Sequence, residues 1–201
     1  MIPSTAPGVI LASTSASRRA LLQGAGVAFT ARSPGVDEAA AKAALLGDGL
    51  GPRDVADALA ELKAIRVRAG DALVIGADQT LDLDGELIDK AESLQEARER
   101  LLRLRGRPHK LHAAVVVAQG GQPIWRDVQT ATLWMRPFSD AFLDDYLSRE
   151  GDGALSSVGC YRLEDIGVQL FSRIEGDYFT ILGLPMLGLL DLLRRHGVLT
   201  L

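Results

Sequence analysis

Disulfide bonds are beyond this chain, because Cys160 is its only cysteine. A single thiol fits a reducing compartment, and a free cysteine is more often a small buried residue than a nucleophile. Aromatic residues make up 5% of the sequence, too few for stacking platforms that hold single-stranded nucleic acid. Nor is there an excess of positive charge: 22 Lys and Arg stand against 26 Asp and Glu, a net charge of −4. That balance argues against sequence-independent binding to duplex DNA or RNA. A small anionic ligand stays compatible, since local basic clusters form on acidic proteins. No stretch approaches the roughly 20 apolar residues of a membrane span, and no basic segment leads into a long apolar one at the N-terminus. The expectation is a cytoplasmic protein with neither membrane nor nucleic acid as partner.

At 47% apolar and 24% charged residues, the 201-residue chain is ordinary for a globular fold. It is long enough for one large domain or a two-lobed one. The stretch VIGADQTLDLDGELIDK (74–90) organises the rest. Leu73-Val74-Ile75 reads as a short buried strand, Gly76-Ala77 lets backbone approach closely, and Asp78 is expected at the strand's end. Asp84-Gly85 is a two-residue hairpin signal, because glycine tolerates the positive φ of a type I′ turn. The returning arm, Glu86-Leu87-Ile88, then delivers Asp89-Lys90 back towards Asp78. A carboxylate and a lysine brought together this way suggest a metal or water handled beside a phosphate. In isolation the stretch also reads as a hairpin with solvated charges.

Upstream, residues 1–8 read as a loose leader and Val9-Ile10-Leu11-Ala12 as a short strand. A hydroxyl-rich turn, Ser13-Thr14-Ser15, follows and offers N-caps to a helix through Leu22, with Gly24 and Gly26 as stops. Arg18 and Arg19 stand near that helix's N-terminus, where cations are mildly unfavourable. A phosphate bound in the turn would resolve the conflict, since free N–H groups and the dipole there suit an anion. Further on, the spacing predicts a second strand over 28–32 and helices over 39–46 and 53–69, the latter carrying Lys63 and Arg66.

Ser93 and Glu96 form a capping box for a helix to about Arg105. A long hairpin over 111–118 and 124–135 flanks Gly120-Gly121, and Ser139 caps a helix to about Arg149. Residues 150–157 read as a glycine-rich loop, and 167–174 as a strand with Val168, Leu170 and Ile174 on one side. A last helix is expected over 186–196. Helices alternating with strands argue α/β, and the two hairpins predict a mixed rather than all-parallel sheet. His109 and His112 enter a strand with no third ligand nearby, so they read as structural or surface residues.

Several motifs, in order, resemble the Maf family of nucleoside triphosphate pyrophosphatases. They are LASTSASRRALL (11–22), VDE (36–38), LAELKA (59–64), IGADQ with LDGE and DK (75–90), GRPH (106–109), SVGCYRLED (157–165) and RIEGDYFTILGLP (173–185). No single piece is decisive, but the set is specific and spans nearly the whole chain. The resemblance implies a single Maf-like domain over 1–201. It implies an elongated mixed α/β fold of two lobes with a central cleft, like that of inosine triphosphatases, and a homodimer as a frequent assembly. It also implies hydrolysis of a nucleoside triphosphate between the α- and β-phosphates, with a divalent cation, Mg²⁺ or Mn²⁺.

By the same resemblance the catalytic carboxylate maps to Asp78, and other polar cleft residues to Ser13, Arg18, Glu38, Lys63 and Lys90. The chemistry suits these types. A base orients and deprotonates water; Glu38 and Asp78 are oxygen ligands for a hard cation; Arg18, Lys63, Lys90 and Ser13 would hold phosphate. The family's common pattern has arginine at Ser17, threonine at Gln79 and glutamine at Glu164, three positions that separate substrates. The combination here looks closer to the branch acting on 7-methyl-GTP than to the dTTP/UTP branch, although that branch carries tryptophan where Ser17 stands. A carboxylate at Glu164 could accept from a guanine N1–H and its exocyclic amine. The alternatives are a dTTP/UTP-preferring enzyme and a non-catalytic nucleotide-binding regulator of septum formation.

Overall fold

The computed structural model describes residues 6–200; of the leader, residues 1–5 lie outside the described residues. In chain order the elements are β1 (Val9–Ala12), α1 (Ala16–Gly24), β2 (Thr30–Ala31), α2 (Glu38–Gly47), α3 (Pro52–Arg66), β3 (Leu73–Leu83) and β4 (Glu86–Ile88). There follow α4 (Leu94–Leu104), β5 (Pro108–Gln119), β6 (Gln122–Met135), α5 (Asp140–Glu150), β7 (Phe171–Glu175), α6 (Tyr178–Ile181) and α7 (Met186–Arg195). Among the described residues seven strands make one sheet, ordered β2-β1-β3-β5-β6-β7, with β4 added beside β3. β1 is parallel to β2 and β3, and every pairing from β3 onward is antiparallel. The chain thus has a mixed α/β fold, helices flanking an open sheet.

The long strand β3 positions everything else. Leu73 to Gly76 pair with Val9 to Ala12 of β1, and there β1 stops. β4 covers the same edge of β3 only from Leu81, while β5 pairs along the opposite edge throughout. Ala77 to Thr80 therefore keep an open edge between two covered segments. Asp78 lies in mid-strand, not at a strand end as the apolar run Leu73-Val74-Ile75 suggests. Antiparallel pairing with β5 carries the extended backbone on through polar residues that hydropathy alone does not mark.

Alternation along β3 sorts the side chains by face. Asp78 meets Lys63 of α3, and Thr80 Oγ1 donates to the carbonyl of Pro52 at 2.8 Å. Gln79 points the other way, to α6. α3 can lie this close because Gly76 has no side chain: a Cβ there would come within 2.2 Å of the Ala60 carbonyl oxygen. Small residues on both partners match this approach, with Ala56, Ala60 and Ala64 against Ala114, Val116 and Ala118.

Two larger apolar cores lie towards opposite ends of the shared strands. One joins Leu11, Leu22, Ile75, Val115 and Val117 to Leu184, Leu189 and Leu193 of the α7 segment. The other joins Leu81, Leu111 and Leu133 to Leu101 and Leu104 of α4, Leu143 and Tyr146 of α5, and Phe171. The middle of β3 falls between them, so the two lobes share a sheet and are divided by a cleft above Asp78 and Gln79.

The turn signals were sound where they are local. Asp84 and Gly85 both have positive φ, 56° and 89°, as a type I′ turn requires. Ser15, Ser93 and Ser139 each cap a helix. The expected strand over 167–174 is instead a 3₁₀ turn, Ile166–Leu170, followed by β7. Asp165 starts that turn by accepting the Ile166 N–H at 2.8 Å. Val168 is half exposed while Leu170 is fully buried, so the two do not share a strand face. Residues 150–157 likewise contain a 3₁₀ helix, Gly151–Ser156, rather than open loop. Among the described residues no helix is long and apolar enough to cross a membrane.

Candidate active site

Ser13, Ser17, Arg18, Glu38, Lys63, Asp78, Gln79, Lys90 and Glu164 all line one cleft of about 240 Å³. Residues spread over 152 positions of sequence are gathered there by the break in pairing along β3. At its floor the Lys63 ammonium lies 2.6 Å from Asp78 Oδ1 and 2.9 Å from Glu38 Oε2. Lys63 is only 4% exposed and Asp78 6%. Lys63 belongs to the last turn of α3, where a cation complements the helix dipole. Its burial follows from the close seating of α3 on Gly76, which presses the end of the helix against β3.

Arg18 departs from the simplest expectation for a helix N-terminus. Its Nε donates to the Gly183 carbonyl at 2.8 Å and its NH1 to the Ala77 carbonyl at 2.9 Å. The Ala77 oxygen is available because β1 has already ended. Burial pulls the guanidinium below the ordinary arginine value, and nearby Asp78 and Glu38 oppose that shift. Those carbonyls and acids supply the compensation for which a bound phosphate was invoked from the sequence. Lys90 is pulled below the ordinary lysine value, first by burial and then by the charges of Arg18 and Lys63, against Glu38 and Asp78. Two cations brought together in one cleft are a prepared place for anionic charge. Ser13 is buried, and its hydroxyl accepts the Ser15 N–H at 3.1 Å, shaping the turn before α1.

Gln79 has a more specific task than its position in the motif suggests. Its amide nitrogen donates to the carbonyls of Thr180 and Ile181, at 3.0 and 2.9 Å, and so caps the end of α6. The side chain is thereby pinned against one lobe, with its oxygen facing Gly183. Gly183, at φ 92°, makes the turn that admits both Gln79 and Arg18. Glu164 is exposed, on the loop before the 3₁₀ turn at Ile166–Leu170. Ser17 lies on the first turn of α1, facing the same space.

The cleft is also lined by Asp89, which the hairpin delivers with Lys90, by Tyr161, and by two residues that no motif marked, Lys42 and Arg162. Lys42 was findable, being i+4 from Glu38 on a helix and so on the same face. Arg162 pairs at 2.5 Å with Glu150, whose side chain is almost fully buried; nothing local in the sequence signals that contact. His109 is buried, bonded through Nε2 to Tyr161 Oη at 2.7 Å, and burial pulls it down to about 4. His112 bridges Thr130 and Asp82 across the sheet. Both histidines are buried structural residues.

Among the described residues no three His, Cys, Asp or Glu side chains converge as a metal cage. Glu38 and Asp78 do converge, as their oxygens reach a single ammonium. Such a pair fits a hard cation that takes one or two carboxylates and completes its shell with water and substrate phosphate.

Fold and cleft together define a class: an α/β protein with an acid pair and several cations lining a groove between two lobes. A family model described as Maf-like protein matches residues 8–196, and the chain belongs to the Maf family. It is 66% identical over 193 residues to a nucleoside triphosphate pyrophosphatase of Caulobacter vibrioides, covering 96% of this chain and 97% of that protein. It is 53% identical over 195 residues to a nucleoside triphosphate pyrophosphatase of Rhodospirillum rubrum, covering 96% of each. A 7-methyl-GTP pyrophosphatase of Rhizobium meliloti is 51% identical over 195 residues, covering 96% of this chain and 98% of that protein.

Proposed function

We propose that this protein is a nucleoside triphosphate pyrophosphatase, converting a triphosphate and water into a monophosphate and pyrophosphate, with preference for a 7-methyl-GTP-like nucleotide. The observation that carries this reading is the buried Asp78–Lys63 pair, joined by Glu38 from the cleft rim, in the same cleft as Arg18 and Lys90. In it Asp78 orients the attacking water and accepts its proton. Lys63 holds Asp78 in place, at 2.6 Å. Arg18 and Lys90 take up charge that grows on the departing pyrophosphate, as positioned cations do at a transferring phosphoryl group. A divalent cation, Mg²⁺ or Mn²⁺, would be held by Glu38 and Asp78. When bound it would neutralise phosphate charge.

The base preference rests on Glu164, whose carboxylate can face the two donors of a guanine edge, and on the name carried by the Rhizobium meliloti relative. The test is turnover of 7-methyl-GTP, GTP, dTTP and UTP with Mn²⁺, read as pyrophosphate released. Faster turnover of 7-methyl-GTP is expected; faster dTTP or UTP overturns the preference. Asp78→Asn should lower kcat by about 10²–10⁴-fold, as loss of a general base does. Full turnover in that variant would remove Asp78 from the mechanism.

A further inference from the structure

Among the charged side chains of the cleft that the chemistry above does not use, Lys42 and Asp89 pair with each other. Lys42 lies one turn beyond Glu38 on α2, and its ammonium is 2.7 and 2.6 Å from the two carboxylate oxygens of Asp89. Asp89 Oδ1 also accepts the backbone N–H of Lys90, at 2.8 Å. One carboxylate thus links a surface helix to the backbone of a cleft lysine. The two partners are 47 positions apart in sequence, so the contact is tertiary.

The weight of this pair comes from what α2 lacks. None of its residues is buried, so it has little apolar anchorage of its own. Elements of that kind open at low free energy. What holds its inner face is a pair of charges at i and i+4: Glu38 reaches Lys63 and Lys42 reaches Asp89. An exposed ion pair ordinarily contributes little. Here the Lys42 side chain is mostly covered, and the helix it fastens has few other contacts to share the load. Burial acts to raise Asp89, yet the Lys42 ammonium and the Lys90 N–H keep it below the usual carboxylate value, so the partner stays charged.

We propose that the Lys42–Asp89 pair is a latch that seats α2 over the cleft, making both of them positioning residues for Glu38 and Lys90. Without it Glu38 is the one charged tether left to the inner face of α2 among the described residues, and its carboxylate loses its fixed approach to the cleft floor. A role as a competitor of phosphate for Lys42 is the rival reading of Asp89; the two carboxylate oxygens on one ammonium and the second bond to the Lys90 backbone favour a fixed structural link. This inference rests on the pyrophosphatase reading for its kinetic part and not for its structural part.

The test uses the full chain with Lys42→Met, Asp89→Asn and the double variant, assayed with Mn²⁺ on the best nucleotide of the panel. Each single substitution is expected to lower kcat/KM about tenfold, mainly through KM, and the double variant no further, the non-additivity of residues in contact. Lys42→Arg, which keeps the charge, recovers most of the loss. Amide hydrogen exchange across 38–47 should quicken about tenfold in the Met, Asn and double variants, while β3 and β5 stay unchanged. Additive losses, unaltered exchange in α2, or tighter pyrophosphate binding by Asp89→Asn would overturn the latch. If the unsubstituted protein releases no pyrophosphate from any nucleotide but exchange in α2 responds as described, the latch stands and the pyrophosphatase reading falls.

Discussion

α3 carries two versions of one arrangement, a single cation between two acids. On its inner side Lys63 stands between Asp78 and Glu38, and its side chain is 5% exposed. On its outer side Asp57 and Glu61 both reach Arg126 of β6, whose side chain is 45% exposed. The contacts look alike, but the surroundings differ. Water screens the outer cluster and leaves it worth little. At the inner cluster Lys63 and Asp78 are largely removed from water, with side chains 5% and 9% exposed, while Glu38 reaches in from the surface; loss of Lys63 leaves the Asp78 carboxylate buried without its ion-pair partner. Burial, and not the number of ion pairs, separates a working site from surface decoration.

The largest expected effect comes from breaking the inner cluster. Lys63→Met should lower kcat/KM by about 10²–10³-fold, the scale seen when one preorganised electrostatic contact is removed. It should also lower the melting temperature, because Asp78 is then buried without its nearest cation. Steady-state kinetics and a thermal melt on one preparation check both outcomes. If the melt shifts and the kinetics do not, Lys63 is structural only.

His109 extends the comparison to a buried titratable ring with no counter-ion. His109 is lowered from 6.5 to about 4 by burial. The unfolded chain therefore binds a proton in the window between those values that the folded chain refuses. Stability from this residue is fully present above about pH 6.5 and is lost as pH falls towards 4, at most about 3 kcal/mol across the window. Chemical denaturation at a series of pH values should show that slope in the native protein and a flatter one in His109→Gln. Equal slopes would mean that other groups govern the acid limb.

The smallest effect should come from the outer cluster. Arg126→Met is expected to change stability by less than about 1 kcal/mol. kcat should stay unchanged, as Arg126 is not among the residues lining the cleft. A change comparable with that of Lys63→Met would erase the distinction between the two faces of α3.

What could be read from the sequence follows from the range of each interaction. Caps at Ser15, Ser93 and Ser139 and the Asp84-Gly85 turn depend on residues within a few positions, and they were legible. Family motifs named nine residues that do meet in one cleft, though the motifs alone say nothing of how they meet. The continuation of β3 past Asp78 was hidden, because it depends on pairing with β5 more than thirty residues later. The carbonyl partners of Arg18 and the capping of α6 by Gln79 were hidden for the same reason. At Ile166–Leu170 a local preference misled: alternating apolar residues look like a strand, yet the Asp165 cap turns the chain first.

The short uncovered run from Ala77 to Thr80 has a consequence for how the protein behaves in a crowded solution. Open strand edges invite other chains to add a strand of their own and so seed aggregation. This one is closed off at both ends, by β1 at Gly76 and by β4 at Leu81. The Arg18 guanidinium already occupies the Ala77 carbonyl. The opening is shorter than the five or six residues of a typical strand, so a foreign segment finds no purchase. The molecule can leave backbone unpaired at its centre without becoming adhesive.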